Sequence, residues 1–439
     1  MPGDVWRGTA LQVLGRFWGA GCTFAILLLA MRGNDAAGFG RFTFYLAMFA
    51  WLDALATMGT GQVAIQRTAA HPEQTASVLA AGRRLRIAAG LFGVALTAAI
   101  AFGSGEKDAL WIVVAALYPV THALELSATV FRNRLAWGVP VRMRAIASGL
   151  SLLFVAILAG LDCARPALYL LAVALGSASA NFLLHRAAAP LLPRSEGAAV
   201  REPGMLRESV ILGLQALCAQ TYFYIDNLFV EHYRGDADLG HYNVAVRVMS
   251  WSIMLAQYTS LSVLPWLRRR HVAGELGPAT TKLVPPLFAF AGLACGVVWP
   301  WSSQLLALFD GIAHDSHANA ASFGAAGPAL KWLLCATVAI YAGALLLTSV
   351  VALGNRNPSM LWIAACAVLL NIAANTWAVP AMGIEGAGLT TFATEAFVAI
   401  AAAAVLARAG VKLGPAWPWL GGPVLFALGA WLSSLLPLG

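Results

Sequence analysis

Apolar residues occupy this chain in long blocks, separated by short polar connectors. Hydrophobic windows predict thirteen helical stretches, at about 10–30, 42–65, 85–103, 109–131, 142–161, 167–186, 207–231, 241–266, 283–304, 329–353, 359–379, 386–408 and 417–437. Most approach the roughly 20 apolar residues that a helix needs to cross a bilayer. The pattern therefore predicts an all-α polytopic membrane protein with about 12–13 transmembrane helices. The stretch 219–270 is its most informative part: two apolar runs around a short polar turn, ending in Arg268, Arg269 and Arg270. The first apolar run lacks a small-residue cleavage site before Arg32 and reads as a retained span.

Composition fits this picture. Hydrophobic residues make up 60% of the chain and charged ones 11%, against about 25% charged in soluble proteins. The six cysteines stand singly in sequence, without a CxxC or Cys/His cluster, so neither a disulfide framework nor a zinc site is expected. His314, Asp315 and His317 are a weak metal candidate without a third well-placed ligand. The formal charge of +8 is distributed by connector: 20 basic residues fall on one side and 6 on the other. By the positive-inside rule the N-terminus is cytoplasmic and, with thirteen spans, the C-terminus external. The basic excess marks a membrane face, and nucleic acid is not expected as a partner.

The chain also repeats. MRGNDAAGFGRF at 31–42 matches YRGDADLGHY at 233–242 with one gap, each between a first and a second span. VPVRMRA at 139–145 and LGNRNPS at 353–359 each introduce a fifth span. Two parallel six-helix lobes around a central cleft follow, as in some transporters. The expected division is an N-terminal lobe at 1–187, a Pro-rich cytoplasmic linker at 188–206, a C-terminal lobe at 207–408, and an additional span in 409–439.

The chemistry resides in polar groups within spans. No P-loop signature, GxSxG or HExxH occurs, and no loop carries an acid–base constellation, so an enzyme is not expected. An ionised side chain at mid-membrane costs about 2.5–3.5 kcal/mol on insertion scales and faces a bundle interior or a wet cavity. Arg16, Asp53, Glu125, Asp226, Arg247 and Glu395 meet that description, and His122 lies one turn from Glu125. Counting from the turn, Asp226 and Arg247 are expected to face each other at one depth, either as a structural tie or in a polar pathway. Arg16 is suited to bidentate phosphate binding, and Glu125 at similar depth is its alternative partner. Asn371 and Asn375 add hydrogen-bonding capacity. Tyr222, Tyr224, Tyr258 and Trp251 read as core or interface aromatics before sugar platforms.

The membrane Asp followed by RGDADLGHYNVAVR and a helix closing on LPWLRRR, together with ALGNRNPSMLW, VPAMGIEGAGLTTFATE and GFGRFTFYLAMFAWLDALATMGTGQVAIQR, resembles the polysaccharide (O-antigen repeat-unit) flippase family. That family belongs to the multidrug/oligosaccharidyl-lipid/polysaccharide exporter superfamily. The resemblance implies a bacterial inner-membrane flippase that moves an undecaprenyl-diphosphate-linked oligosaccharide from the cytoplasmic to the periplasmic leaflet by alternating access. It implies diphosphate binding by Arg16 and Arg247, and ion coupling or cleft ion pairs at Asp53, Glu125, Asp226 and Glu395. A coupling proton or sodium ion would be the only cofactor. Membrane lipid, a glycan polymerase and other polysaccharide-assembly proteins would be the partners. The rival readings are an ion-coupled drug or metabolite antiporter of the same superfamily, a lipid II flippase, and a non-transporting scaffold.

Overall fold

The apolar blocks fold as helices wherever the backbone can satisfy its own polar groups, which is the requirement for crossing lipid. The computed structural model describes residues 2–134, 136, 138–163, 165–192, 204–310, 322–354 and 359–435, and those residues contain helices and no strand. Ten helical segments among them are long and apolar enough to span a membrane. Two further helices meet at Gly235 and another closes the chain, so the expected thirteen are present. The chain divides into two compact units, Met1–Gln220 and Thr221–Gly439. Of the expected linker 188–206, residues 193–203 lie outside the described ones, as do His314, Asp315 and His317.

In unit 1 the order is α1 Pro2–Gly33, α2 Ala36–Thr57, α3 Thr60–Ala70, α4 Thr75–Gly103, α5 Ala109–Ala115, α6 His122–Glu125, α7 Thr129–Asn133, α8 Gly138–Gly160 and α9 Pro166–Ala188. α1 and α9 both pack on α8, and the Trp18 indole N–H donates to the Ala145 carbonyl at 2.9 Å. Asp35 caps α2 by accepting from the Gly38 N–H at 2.8 Å, a typical helix start. The fourth span is irregular. Its regular turns α5, α6 and α7 alternate with 3₁₀ turns at Tyr118–Thr121 and Leu126–Ala128. Pro119 lacks an N–H and clashes with the preceding turn, which accounts for the first break.

α10, Met205–Val272, is 68 residues long and bends at Gly235, where φ is 83°. Only glycine takes that backbone readily. Its first residues belong to unit 1: Met205 joins the apolar cluster of Val63, Ala64, Leu79 and Leu126, and Arg67 pairs with Glu208 at 3.3 Å. From Thr221 onward α10 belongs to unit 2. It carries Asp226, Glu231, Arg234, Asp236, Asp238 and Arg247 and is not among the ten apolar segments.

Unit 2 continues with α11 Leu276–Val298, α12 Ser302–Ala307, α13 Gly327–Leu353, α14 Ser359–Met382, α15 Ile384–Arg408 and α16 Gly421–Ser434. α13 is buried along its whole length and packs against α15 and α11. The closing helix α16 has 14 residues and lies against α11 at backbone distance: a Cβ at Gly292 would meet the Gly422 carbonyl oxygen at 2.1 Å. Small residues permit this approach in membrane helices. Ser433 Oγ donates to the Val297 carbonyl at 2.7 Å, and the Trp301 indole N–H donates to Ser433 at 2.5 Å.

Candidate functional site

Each unit holds its own polar cluster. In unit 1 the irregular fourth span presents His122 and Glu125 from α6, the turn of regular helix between its two 3₁₀ segments. Mid-helix 3₁₀ stretches recur at functional sites and hinges. Glu125 Oε2 accepts from Arg86 Nη1 at 3.3 Å, and Oε1 accepts from Arg144 Nη2 at 2.5 Å. Arg132 Nη2 stands 3.9 Å from that second oxygen. His122 lies between two carboxylates, with Nε2 at 2.8 Å from Asp53 Oδ1 and Nδ1 at 3.4 Å from Glu125 Oε2. Arg86 is locked further: Nε donates to Thr60 Oγ1 at 2.6 Å and Nη1 to the His122 carbonyl at 2.7 Å. A cavity of about 320 Å³ opens beside the cluster, lined by Asp53, His122, Glu125, Arg144, Ser148 and Asn181 among others.

The unit 2 cluster is built from neutral donors around one buried carboxylate. Asp226 on α10 accepts from Asn375 Nδ2 at 2.7 Å, from Thr391 Oγ1 at 2.6 Å and from the Tyr242 hydroxyl at 2.9 Å. Asn375 and Asn371 stand one turn apart on α14. The Asn375 amide also donates to Asn371 Oδ1 at 2.8 Å, and Thr390 Oγ1 donates to Asn375 Oδ1 at 2.9 Å. Asn371 in turn donates to Thr394 Oγ1 at 3.2 Å. Glu395 is buried on α15, one turn beyond Thr391. The chain of hydrogen bonds thus runs across three helices. No group of three or more His, Cys, Asp or Glu side chains suited to a metal ion occurs among the described residues.

Asp53 and Glu125 come together through His122, as a neighbourhood the sequence only half suggested. Asp226 and Arg247 form no ion pair, contrary to the expected meeting. Both helices run up to the bend at Gly235, so at 1.5 Å per residue Asp226 is about 14 Å from the turn and Arg247 about 18 Å. Tyr242, seven residues past the bend, reaches Asp226 instead. The Arg247 Nε is buried without an acceptor. Arg16 lies near the middle of α1 and is exposed. Glu125, the alternative partner expected for it, is held by Arg86, Arg132 and Arg144.

These three arginines are the members of the cluster that the sequence reading missed. The charge count assigned all three to connectors, since Arg86 and Arg144 stand at the very start of the windows 85–103 and 142–161 and Arg132 just beyond 109–131. Helix α4 begins at Thr75, just after the turn Pro72–Gln74, so Arg86 sits eleven residues inside it. Arg144 sits six residues inside α8. A helix-start signal at Pro72–Thr75 would have revealed the first. The spacing of Asn371 to Asn375 and of Thr391 to Glu395, both i to i+4, would have marked the unit 2 faces.

A multi-pass membrane protein with charged and polar clusters inside its helical units is the class defined by this architecture. The chain belongs to the polysaccharide biosynthesis protein family, whose model matches residues 5–271. The search among curated proteins gave no match. The fold is similar to that of the lipid II flippase MurJ, a structure solved in an inward closed conformation, at TM-score 0.78 and 13% identity, covering 98% of this chain and 93% of that one. A multidrug resistance MATE family transporter of the MOP superfamily matches at TM-score 0.61 and 14% identity, covering 92% of this chain and 94% of that one. A MOP superfamily transporter from Pyrococcus furiosus matches at TM-score 0.63 and 12% identity, with 96% of each chain covered.

Proposed function

We propose that the chain flips an undecaprenyl-diphosphate-linked oligosaccharide, the repeat unit of a surface polysaccharide or O-antigen, from the cytoplasmic to the periplasmic leaflet of a bacterial inner membrane. Family membership supplies the polysaccharide context, and the fold is shared with a lipid II flippase. The observation that carries the reading to this chain is Arg247. A guanidinium inside a helix, with a buried Nε and no acceptor, is retained where a neutral side chain would insert more easily. An anionic ligand is the partner such a group calls for, and a diphosphate matches its planar fork. Arg16 on α1 is the second diphosphate ligand in this reading. The basic residues crowd one set of connectors, which marks the cytoplasmic face in this reading.

Coupling belongs to the carboxylates. Asp226 and Glu395 in unit 2, or Asp53 and Glu125 in unit 1, would take up the coupling proton or sodium ion. The carboxylate, amide and hydroxyl oxygens around Asp226 are hard donors of the kind a sodium ion accepts. A glycan polymerase and other assembly proteins would receive the product. One observation favours an ion-coupled antiporter as the second reading: within the spans of unit 2 two buried acids, Asp226 and Glu395, outnumber the single arginine, Arg247.

The test is export of surface glycan by Arg247→Ala at matched membrane abundance. Loss of at least tenfold in surface glycan, with normal abundance, is expected. Export at the parental rate would reject the diphosphate role of Arg247. Export of a cationic dye at an undiminished rate from cells lacking any glycan phenotype would favour the antiporter.

A further inference from the structure

The six ionisable groups of the unit 1 cluster do not play equal parts. Arg86 is 4% exposed and spends its N–H groups on three protein oxygens, those of Thr60, His122 and Glu125. It is a structural post. Arg144 is 62% exposed, yet it reaches inward to Glu125 through a single N–H. Its other N–H groups have no acceptor among the described residues. Arg132, 30% exposed, stands at the same carboxylate oxygen without a close bond. Three arginines face two carboxylates, Glu125 and Asp53, so the cluster carries a surplus positive charge with His122 neutral.

The surplus meets a space to use it. The cavity of about 320 Å³ is walled by Arg144, Glu125, His122 and Asn181, with Ser148 and Ser177 alongside. That volume is at the lower end of small-molecule pockets, about 300–1,000 Å³. Ser177 offers a hydroxyl to an oxyanion, whereas the Ser148 hydroxyl is donated to the Arg144 carbonyl at 3.1 Å, and Arg144 offers the N–H groups it does not give to Glu125. Glu125 would be left with Arg86, Arg132 and His122 if Arg144 let go, so release does not strand its charge.

We infer that unit 1 contains a phosphoryl-binding site in which Arg144 is a latch: it rests on Glu125 and exchanges that carboxylate for a phosphoryl oxygen of the ligand. The site rests on the flippase reading for its biological ligand, a lipid-linked diphosphate, but its chemistry is that of any diphosphate anion. It differs from the assignment to Arg16 and Arg247 by placing the exchange on a carboxylate-held arginine. No bond is made or broken in the exchange. One charge-assisted hydrogen bond replaces another.

Titration of the purified full chain in detergent tests the latch, with inorganic pyrophosphate and farnesyl diphosphate as separate probes. Pyrophosphate binding should weaken at least tenfold in Arg144→Ala and by less in Arg144→Lys, which keeps the charge and loses the planar fork. Glu125→Gln should tighten binding several-fold, because it frees Arg144; a purely structural Glu125 would give the opposite. Tighter binding of farnesyl diphosphate than of pyrophosphate, again dependent on Arg144, would identify a lipid-linked source; equal affinity would identify a free diphosphate at the same site. Pyrophosphate affinity unchanged in Arg144→Ala, or lowered in Glu125→Gln as much as in Arg144→Ala, overturns the latch. So does an absence of binding in the parental chain at millimolar probe. If glycan export still fails in Arg247→Ala while the latch test fails, the flippase reading stands and the latch alone is wrong.

Discussion

The two units solve one problem in opposite ways. Each begins with a pair of helices joined through a related turn, around Gly33–Ala36 in one and Gly235 in the other. Each then holds a carboxylate among its helices. Unit 1 surrounds Glu125 with arginines and a histidine, whereas unit 2 surrounds Asp226 with a tyrosine, a threonine and an asparagine. The first is a network of opposite charges with one largely exposed member, Arg144. The second is a set of fixed neutral dipoles around a carboxylate. Ion pairs can be exchanged for other ions at little change in total charge, while a dipole cage holds one site in one shape. On the latch proposal ligand exchange falls to unit 1, while the hydrogen-bond cage around Asp226 is a fixed part of unit 2, separate from Arg247.

The largest effect expected is in unit 1. Glu125→Ala leaves Arg86, a nearly inaccessible guanidinium, without its carboxylate. Removing one partner of a buried pair costs about 3–5 kcal/mol. Thermal unfolding in detergent should show a large drop in Tm, and the added change Arg86→Met should recover more than half of it. If the second change deepened the loss instead, the cluster would not be organised by charge, and the contrast between the units would fail at its first step.

Unit 2 should respond differently. Asp226→Ala removes the acceptor shared by Asn375, Thr391 and Tyr242. Leaving buried donors unmet costs on the order of 1–3 kcal/mol for each group that finds no substitute. Asn371 Oδ1 already accepts from Asn375, the Ala387 carbonyl accepts from Thr391, and Thr391 Oγ1 stands 3.4 Å from the Tyr242 hydroxyl, so a total near 2–3 kcal/mol is expected. Asp226→Asn should retain most of the stability. Adding Arg247→Ala to Asp226→Ala should give no recovery, since the two are not paired. Recovery of Tm in that double variant would mean that Arg247 answers the charge of Asp226 after all, and unit 2 would join unit 1 as an ionic site.

How much of this could be read from the sequence follows from the physics of each feature. Helices were legible because lipid enforces long apolar runs, and the thirteen runs correspond to thirteen helical spans among the described residues. Asp53, Glu125, Asp226 and Glu395 were legible because acids are conspicuous in such runs. Arg86, Arg132 and Arg144 were not: near a helix end, an arginine looks the same whether it points to water or back to a carboxylate. The Asp226–Arg247 pairing misled because it assumed a loop of several residues, where Gly235 makes the turn almost alone. Tyr242 was hidden in the turn motif itself. Partners across helices depend on register, and a shift of one turn changes which side chains meet.

The smallest stability effect, and the sharpest for the comparison, is expected from Arg144→Ala. Its side chain is 62% exposed, and Glu125 keeps Arg86, Arg132 and His122 when it is gone. Exposed ion pairs contribute about 0–1 kcal/mol, so Tm should fall by little, and by far less than in Glu125→Ala. Two residues joined by a bond of 2.5 Å would then differ widely in what their loss does to folding. That inequality is what a latch requires, since a member that leaves during each cycle cannot be one on which the fold depends. Unfolding of Arg144→Ala should be followed at low and at high salt. A small loss that disappears at high salt identifies a screened, solvent-facing contact. A drop in Tm equal to that of Glu125→Ala at both salt concentrations would make Arg144 a structural post like Arg86, and unit 1 would be as fixed as unit 2.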